Sequence, residues 1–331
     1  MKGTLMYGAG GEVMGEVIDV VSRITNKNAG GIGLESLDDG AVIPIGNSQV
    51  VFTTDSHIVR PLFFPGGDIG RISVCGTIND LAMMGGKPIA ISCGLVLEEG
   101  FEFDDLTRII DSMNEALNEA GVALVTGDTK VLEKGNLDKI VINTAGIGVT
   151  QKPVRDCGLE VGDVIIVSGT LGDHGFAVLA SREGFEFGDQ ILSDVAPIAG
   201  MVLEVLEAGS VHAMKDPTRG GFASAINEMA KKSGVQVRIN EENIPISPAV
   251  KSASMLLGID PLEVANEGKV VMGVPANDAE KILTVLRAHK YGSQAAIIGR
   301  VVEGKGVIME TAAGGERFIE QPLGDPVPRV C

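Results

Sequence analysis

Four aspartates in the first half of the sequence close or interrupt apolar runs. They are Asp39 in DDGAVIPI (38–45), Asp55 at the end of QVVFTTD (49–55), Asp80 in NDLAMMGG (79–86) and Asp128 in GDTK (127–130). Hard carboxylate oxygens from separate elements, with Lys130 two residues beyond Asp128, are the donor set for magnesium ions and a polyphosphate. Taken singly, each aspartate reads more readily as a structural or turn residue, and so does neighbouring Asp38. A glycine cluster, Gly8, Gly10 and Gly11, precedes an amphipathic run and either offers backbone amides to phosphate or serves as a hinge. In KDPTRGGFASAINEMA (215–230), Asp216 and Pro217 set a turn and Thr218 is a cap. Arg219, Gly220 and Gly221 there suggest an anion site, since an ordinary capped helix needs no pair of glycines beside an arginine. Glu267 in ANEGK (265–269) falls between helix and strand, where it matters only if it faces a cleft. The last residue is Cys331, on a tail with Pro322, Pro326 and Pro328 that is expected to pack poorly and to move. Arg329 beside it favours the thiolate while the terminal carboxylate opposes it, which leaves the net effect open, and a prenylation signal is ruled out because it needs the cysteine fourth from the end.

The rest of the chain must hold these groups together. With 331 residues, 44% hydrophobic and 21% charged, it reads as a folded enzyme of two domains. A net charge of -17, no Trp and two Tyr argue against nucleic acid or an anionic membrane as partner. The 45 glycines point to loops shaped for close backbone approach. The four cysteines show no metal-ligand spacing, no stretch is a signal peptide or a membrane span, and a cytoplasmic location is expected. None of the four histidines has metalloprotease spacing, and His174, in a turn beside Asp173, reads as a hydrogen-bonding residue.

Alternating β-branched residues predict paired strands over 38–45 and 49–55, and later strands over 89–97, 123–131 and 139–149. Apolar spacing predicts a long buried helix that ends at Gly85 and Gly86, with the polar pair Asn79 and Asp80 requiring a partner. A second helix lies near 103–120. The pattern turns polar near 150–153, giving an N-terminal domain over 1–152, a C-terminal domain over 153–311 and a mobile tail over 312–331. The class is α+β, mixed α/β.

With DDGA, TTD, NDLAMMGG, GDTK, DPTRGG and ANEGK all in order, the sequence resembles the aminoimidazole ribonucleotide synthetase (PurM-like) superfamily of ATP-using enzymes. The stretches TTDSHIVRPLFFPGGDIG (53–70), GDHG (172–175), DPLEVANEGK (260–269) and PRVC (328–331) are similar to its carbamoyl dehydratases of hydrogenase maturation, over nearly the whole chain. Tyr7 departs from the histidine of many relatives. The resemblance implies a two-domain PurM-like fold, a homodimer whose N-terminal domains pair into a β-barrel, and a flexible tail. It also implies ATP and Mg2+, with Asp38, Asp39, Asp55, Asp80 and Asp128 at the metal. Gly8, Gly10, Gly11 and Thr218 to Gly221 would lie at the phosphates, and Lys130, Glu267 and Cys331 would be catalytic. A HypF-type carbamoyltransferase would load Cys331, the thiocarbamate would be dehydrated to a thiocyanate, and cyanide would pass to iron on a HypC–HypD complex. Two alternatives stay open: a sibling kinase or synthetase of the superfamily, and a thiol carrier without activity.

Overall fold

The computed structural model describes residues 11–185, 191–324 and 326–331, with side chains from residue 14 onward. The first half comprises α1 (Gly11–Val21), β1 (Ala41–Ile45), β2 (Ser48–His57), β3 (Phe63–Phe64), β4 (Gly67–Asp68), α2 (Ile69–Met83), β5 (Lys87–Glu98), α3 (Phe103–Ala120), β6 (Ala123–Leu132) and β7 (Ile140–Thr150). Five strands form one sheet in the order β1-β2-β7-β5-β6, with β3 and β4 a separate small hairpin. Only β5 and β6 run parallel, as a crossover through α3 requires.

The predicted buried helix is α2, capped by Asp68, whose side chain accepts from Arg71 N at 3.0 Å. Its end follows from Gly85 at φ 69°, a backbone state disfavoured for any residue with a Cβ. Nearly all of α2 is buried because it lies between the first sheet and the second half of the chain. Ile72 and Ile78 are fully buried there, each worth about 1.5–3 kcal/mol of apolar burial. α3 is the amphipathic contrast, burying Ile109, Met113 and Ala116 and turning acidic residues to solvent.

β6 forms an edge of the sheet, and all its residues are exposed, including Val125 and Val131 at 65% and 62%. An unpaired apolar edge of this length is a template for another strand.

The second half comprises β8 (Asp163–Val167), α4 (Asp173–Glu183), α5 (Ala199–Ala208), β9 (Ala213–Lys215), α6 (Gly221–Ser233), β10 (Gln236–Asn240), α7 (Pro248–Leu257), β11 (Val271–Pro275), α8 (Ala279–Ala288), β12 (Ala296–Val302), β13 (Gly306–Glu310) and β14 (Glu316–Phe318). Seven strands form a second sheet, β14-β13-β10-β12-β8-β11-β9, antiparallel except for β10 with β13. Among the described residues no helix is long and apolar enough to cross a membrane.

The tail departs from expectation. β14 adds a strand within 312–331, and beyond it Ile319, Val327 and Val330 are buried. Prolines do not prevent this, because carbonyls here are satisfied by side chains: Asn227 donates to Ile319 O at 2.9 Å, and His174 and Arg182 bind residues 328–330.

Candidate active site

Between α1, the start of β1, β2, α2, the β9–α6 turn and the 264–269 loop lies a cavity of about 1100 Å³, and Cys331 is among its walls. That is room for a nucleotide together with the end of the tail. Asp38, Asp39, Asp55, Asp80, Thr218, Arg219 and Glu267 all line it, so residues 229 positions apart in sequence meet there. Lys215, Asp216, Lys231 and Lys232 join them.

The polar pair on α2 divides its work. Asn79 is structural: its Nδ2 donates to Ala196 O at 3.0 Å and Glu267 O at 3.3 Å, and its Oδ1 accepts from Ile198 N at 2.9 Å. Asp80 faces the cavity, with Thr53 Oγ1 3.0 Å from its Oδ2 and 2.9 Å from Asp39 O. Burial, then the charges of Asp216, Asp55 and Asp39, raise the Asp80 carboxyl far above the carboxylate range. Asp216 is pushed up to about 8 by burial and by Asp39, with Asp55 adding to the rise. Buried carboxyls that hold one another protonated make a place suited to cations.

Basic residues brace part of this cluster. Lys215 Nζ is 2.5 Å from Asp39 Oδ1 and within 3.7 Å of Asp156 and Glu228. Burial opposes its charge, but these carboxylates outweigh burial and keep it protonated. Arg155 Nε donates to Asp38 Oδ2 at 3.0 Å. Burial works against ionised Asp38 too, yet hydrogen bonds from Asp156 and Arg155 carry it below the usual range, while Asp156, buried and sharing that bond, rises to about 7.

Glu267 is buried, and it lines the same cavity as Cys331. Its backbone N–H donates to Asp194 Oδ1 at 3.0 Å, its carbonyl is held by Asn79, and its Oε1 has no hydrogen-bond partner among the described residues. Burial, followed by the charges of Asp216, Asp55 and Asp194, raises its pKa strongly, with Arg219 opposing. Arg219 is exposed at the cavity wall, and it is stabilised as a cation first by Cys331, against partial desolvation, and then by Asp55, Asp80 and Glu267. It takes the part expected of Arg329, whose guanidinium is turned away to Asp138 Oδ2 at 2.7 Å.

Other expected site residues fall elsewhere. Asp128 and Lys130 lie on exposed β6, paired to each other at 2.5 Å, and do not line the cavity of their own chain. Gly220 and Gly221 do not line it either. Both have left-handed φ, 77° and 62°, and a Cβ on Gly221 would meet Leu262 O and Val264 O at 2.6 Å, so the pair is explained by the turn and its close packing. Gly8 and Gly10 lie outside the described residues, and Gly11 is the first residue of α1, which lines the cavity through Met14, Gly15 and Ile18. Sequence reasoning missed Lys215 as a brace and Asp216 as a buried acid, although both stand in the quoted KDPTRGG; Asp216 was taken only for the turn beside Pro217.

The carboxyls suit magnesium by chemistry but not as a preformed cage. Among the described residues no three His, Cys, Asp or Glu side chains converge on one ion. That fits magnesium carried by a polyphosphate, which typically takes one or two carboxylates and completes its shell with phosphate oxygens and water.

The AIR synthase related protein family models match this chain, the N-terminal domain over residues 37–150 and the C-terminal domain over 160–311. The carbamoyl dehydratase HypE of Rhizobium leguminosarum is 45% identical over 99% of this chain and 94% of its own. Among solved structures, the crystal structure of a HypE–HypF complex is similar at a TM-score of 0.87, with 43% identity over 92% of this chain and 99% of that one. HypE in complex with ATP is similar at 0.84, with 39% identity over 99% and 100% of the two chains.

Proposed function

We propose that this chain, which belongs to the AIR synthase related family and within it to the carbamoyl dehydratases HypE, uses ATP to dehydrate a carbamoyl group carried on Cys331. The observation that carries this reading is the position of Cys331 in the wall of one cavity with Glu267, Arg219 and the buried aspartates. A thiol carrier without chemistry has no need of such a cluster, and a small-molecule kinase has no need of a cysteine there.

Loading by a HypF-type carbamoyltransferase gives a thiocarbamate, S–C(=O)–NH2. Its carbonyl oxygen attacks the γ-phosphorus of ATP, the bond to the β-bridging oxygen breaks, and ADP leaves. The nitrogen gives up two protons as the C–O bond breaks, one to a carboxylate of the site and one to the departing phosphate, leaving the thiocyanate, S–C≡N. Glu267 is the acceptor for a nitrogen proton, since a buried carboxylate of raised pKa is a strong base once ionised. Arg219 balances negative charge beside the reacting carbon. Magnesium, held by Asp39, Asp55, Asp80 and the neighbouring acids, would neutralise charge on the polyphosphate. Thr218, in the wall of the same cavity, would donate to a phosphate oxygen.

Asp128 and Lys130 act on this reading in a second copy. They stand on the open edge of their own sheet, so their roles at the metal and the phosphoryl group require a homodimer in which paired sheets close into a barrel. Exposed Val125 and Val131 on the same strand support that pairing. The cyanide would then serve a hydrogenase iron through a HypC–HypD complex, from a cytoplasmic protein.

Labelling the carbamoyl oxygen with a heavy isotope tests the chemistry. The label is expected in inorganic phosphate after one turnover; label found in water instead would exclude oxygen phosphorylation.

A further inference from the structure

We infer that Arg182 and His174, both on α4, form a clasp that recognises the backbone of residues 328–330 and so fixes Cys331 in the cavity. The inference rests on reading Cys331 as the carrier, but the alkylation test that decides it needs neither ATP nor a carbamoyl group.

The end of the tail lies antiparallel to residues 58–60: Ile58 N donates to Cys331 O at 3.1 Å and Arg60 N to Arg329 O at 3.2 Å. Two hydrogen bonds of this kind are a weak hold for a chain end. Arg182 joins both partners. Its Nε and Nη2 donate to Arg60 O at 2.9 and 2.8 Å, while Nη1 donates to Pro328 O at 2.8 Å and Nη2 to Arg329 O at 2.9 Å. One guanidinium thus spans groove wall and tail through charge-assisted bonds, which the fixed fork of arginine allows and a lysine would not. The left-handed φ of Arg329 presents two successive carbonyls to this fork while its own side chain goes to Asp138.

His174 closes the last link. It is fully buried, with Nε2 2.8 Å from Val330 O and Nδ1 2.7 Å from Ser193 Oγ. A carbonyl only accepts, so Nε2 carries the proton; neutral Nδ1 then accepts from the Ser193 hydroxyl, whose oxygen accepts in turn from Val195 N at 3.1 Å. Burial, which lowers the His174 pKa, agrees with the neutral ring. Val330 and Val327 are buried beneath these contacts.

Every clasp acceptor on the tail is a main-chain carbonyl upstream of the sulfur. The clasp is therefore indifferent to the group on Cys331 and holds thiol, thiocarbamate and thiocyanate alike, and loading or transfer by a partner requires it to open. Arg182 and His174 are positioning residues, and neither lines the cavity.

The test is alkylation of the full-length protein with iodoacetamide, reading each cysteine's rate by mass spectrometry. Cys75 and Cys93 are buried and serve as internal controls. Arg182→Gln and His174→Leu are each expected to raise the Cys331 rate about tenfold or more, with the controls unchanged. His174→Gln, which keeps a donor of similar reach, is expected to restore protection. In carbamoylated protein the rate of dehydration should fall in the same order of variants, while carbamoyl loading does not fall. The inference is overturned if Cys331 stays as protected as in the unaltered protein, or if Cys75 and Cys93 become reactive with it, which would report general loosening. His174→Gln behaving like His174→Leu would overturn it for His174, since bulk rather than a donated hydrogen bond would then hold the tail.

Discussion

Asp216→Asn should stabilise the nucleotide-free protein above neutral pH while weakening its grip on magnesium and ATP. Asp216 is buried at 7% exposure, and burial with Asp39 raises its pKa from 3.8 to about 8. The folded state therefore holds a proton that the unfolded state gives up, and the sign follows: stability is greatest below pH 3.8, declines as pH rises toward 8, and is flat beyond. A shift of about four units at ~1.36 kcal/mol each bounds the loss at roughly 5 kcal/mol. An amide cannot ionise, so its variant lacks this slope, and a gain on the order of 3 to 5 kcal/mol at pH 8 is expected. Urea unfolding from pH 5 to 9 in chelator, for both proteins, is the assay; the same protein pair with ATP and magnesium gives the binding cost. An unchanged pH slope, or a less stable variant at pH 8, would refute the buried acid cluster as described.

Glu267→Gln should leave ATP binding intact and lower thiocyanate formation by about 10²–10⁴-fold, the usual range for loss of a general base; intact mass against time measures it, and an undiminished rate removes Glu267 from the mechanism. Because burial raises the Glu267 pKa, the same change should also flatten the fall in nucleotide-free stability on the alkaline side, read by thermal unfolding across pH. Val125→Lys with Val131→Lys on exposed β6 should give a folded monomer with little turnover, measured by sedimentation; a dimer that persists would place the interface elsewhere. Cys331→Ala should keep the fold and ATP binding and abolish carbamoyl loading, since a partly exposed residue at the end of the tail carries little of the core.

Elements whose signal is local were legible in the sequence. The β1–β2 pairing, the all-round burial of α2, the amphipathic α3 and the strands that carry Asp55 and Asp128 follow from periodicity and from glycine punctuation. That Asp39, Asp55 and Asp80 line one cavity with Arg219 and Glu267 was suggested by their motifs taken together, since carboxylates from separate elements with a basic residue are a donor set for a metal and a polyphosphate. What was not legible depends on partners distant in sequence. The docked tail needs Arg182 and His174, about 150 positions away, and nothing in PRVC announces them. His174 is the hydrogen-bonding residue expected, but its two partners, Ser193 and Val330, are invisible to local pattern. Gly220 and Gly221 looked like an anion site for want of knowing how closely the 262–264 backbone approaches them. Asp128 and Lys130 show the limit of a single chain: their types fit the chemistry, and their place is on the wrong side of it until a second copy is present.

The central claim is that the tail delivers its own substrate to an ATP-driven dehydration. Intact mass of the carbamoylated protein, before and after ATP and magnesium, measures that directly. The account predicts loss of one water per chain, dependent on ATP and absent when Cys331 carries no carbamoyl group; a mass unchanged by ATP, or water lost without it, would contradict the account.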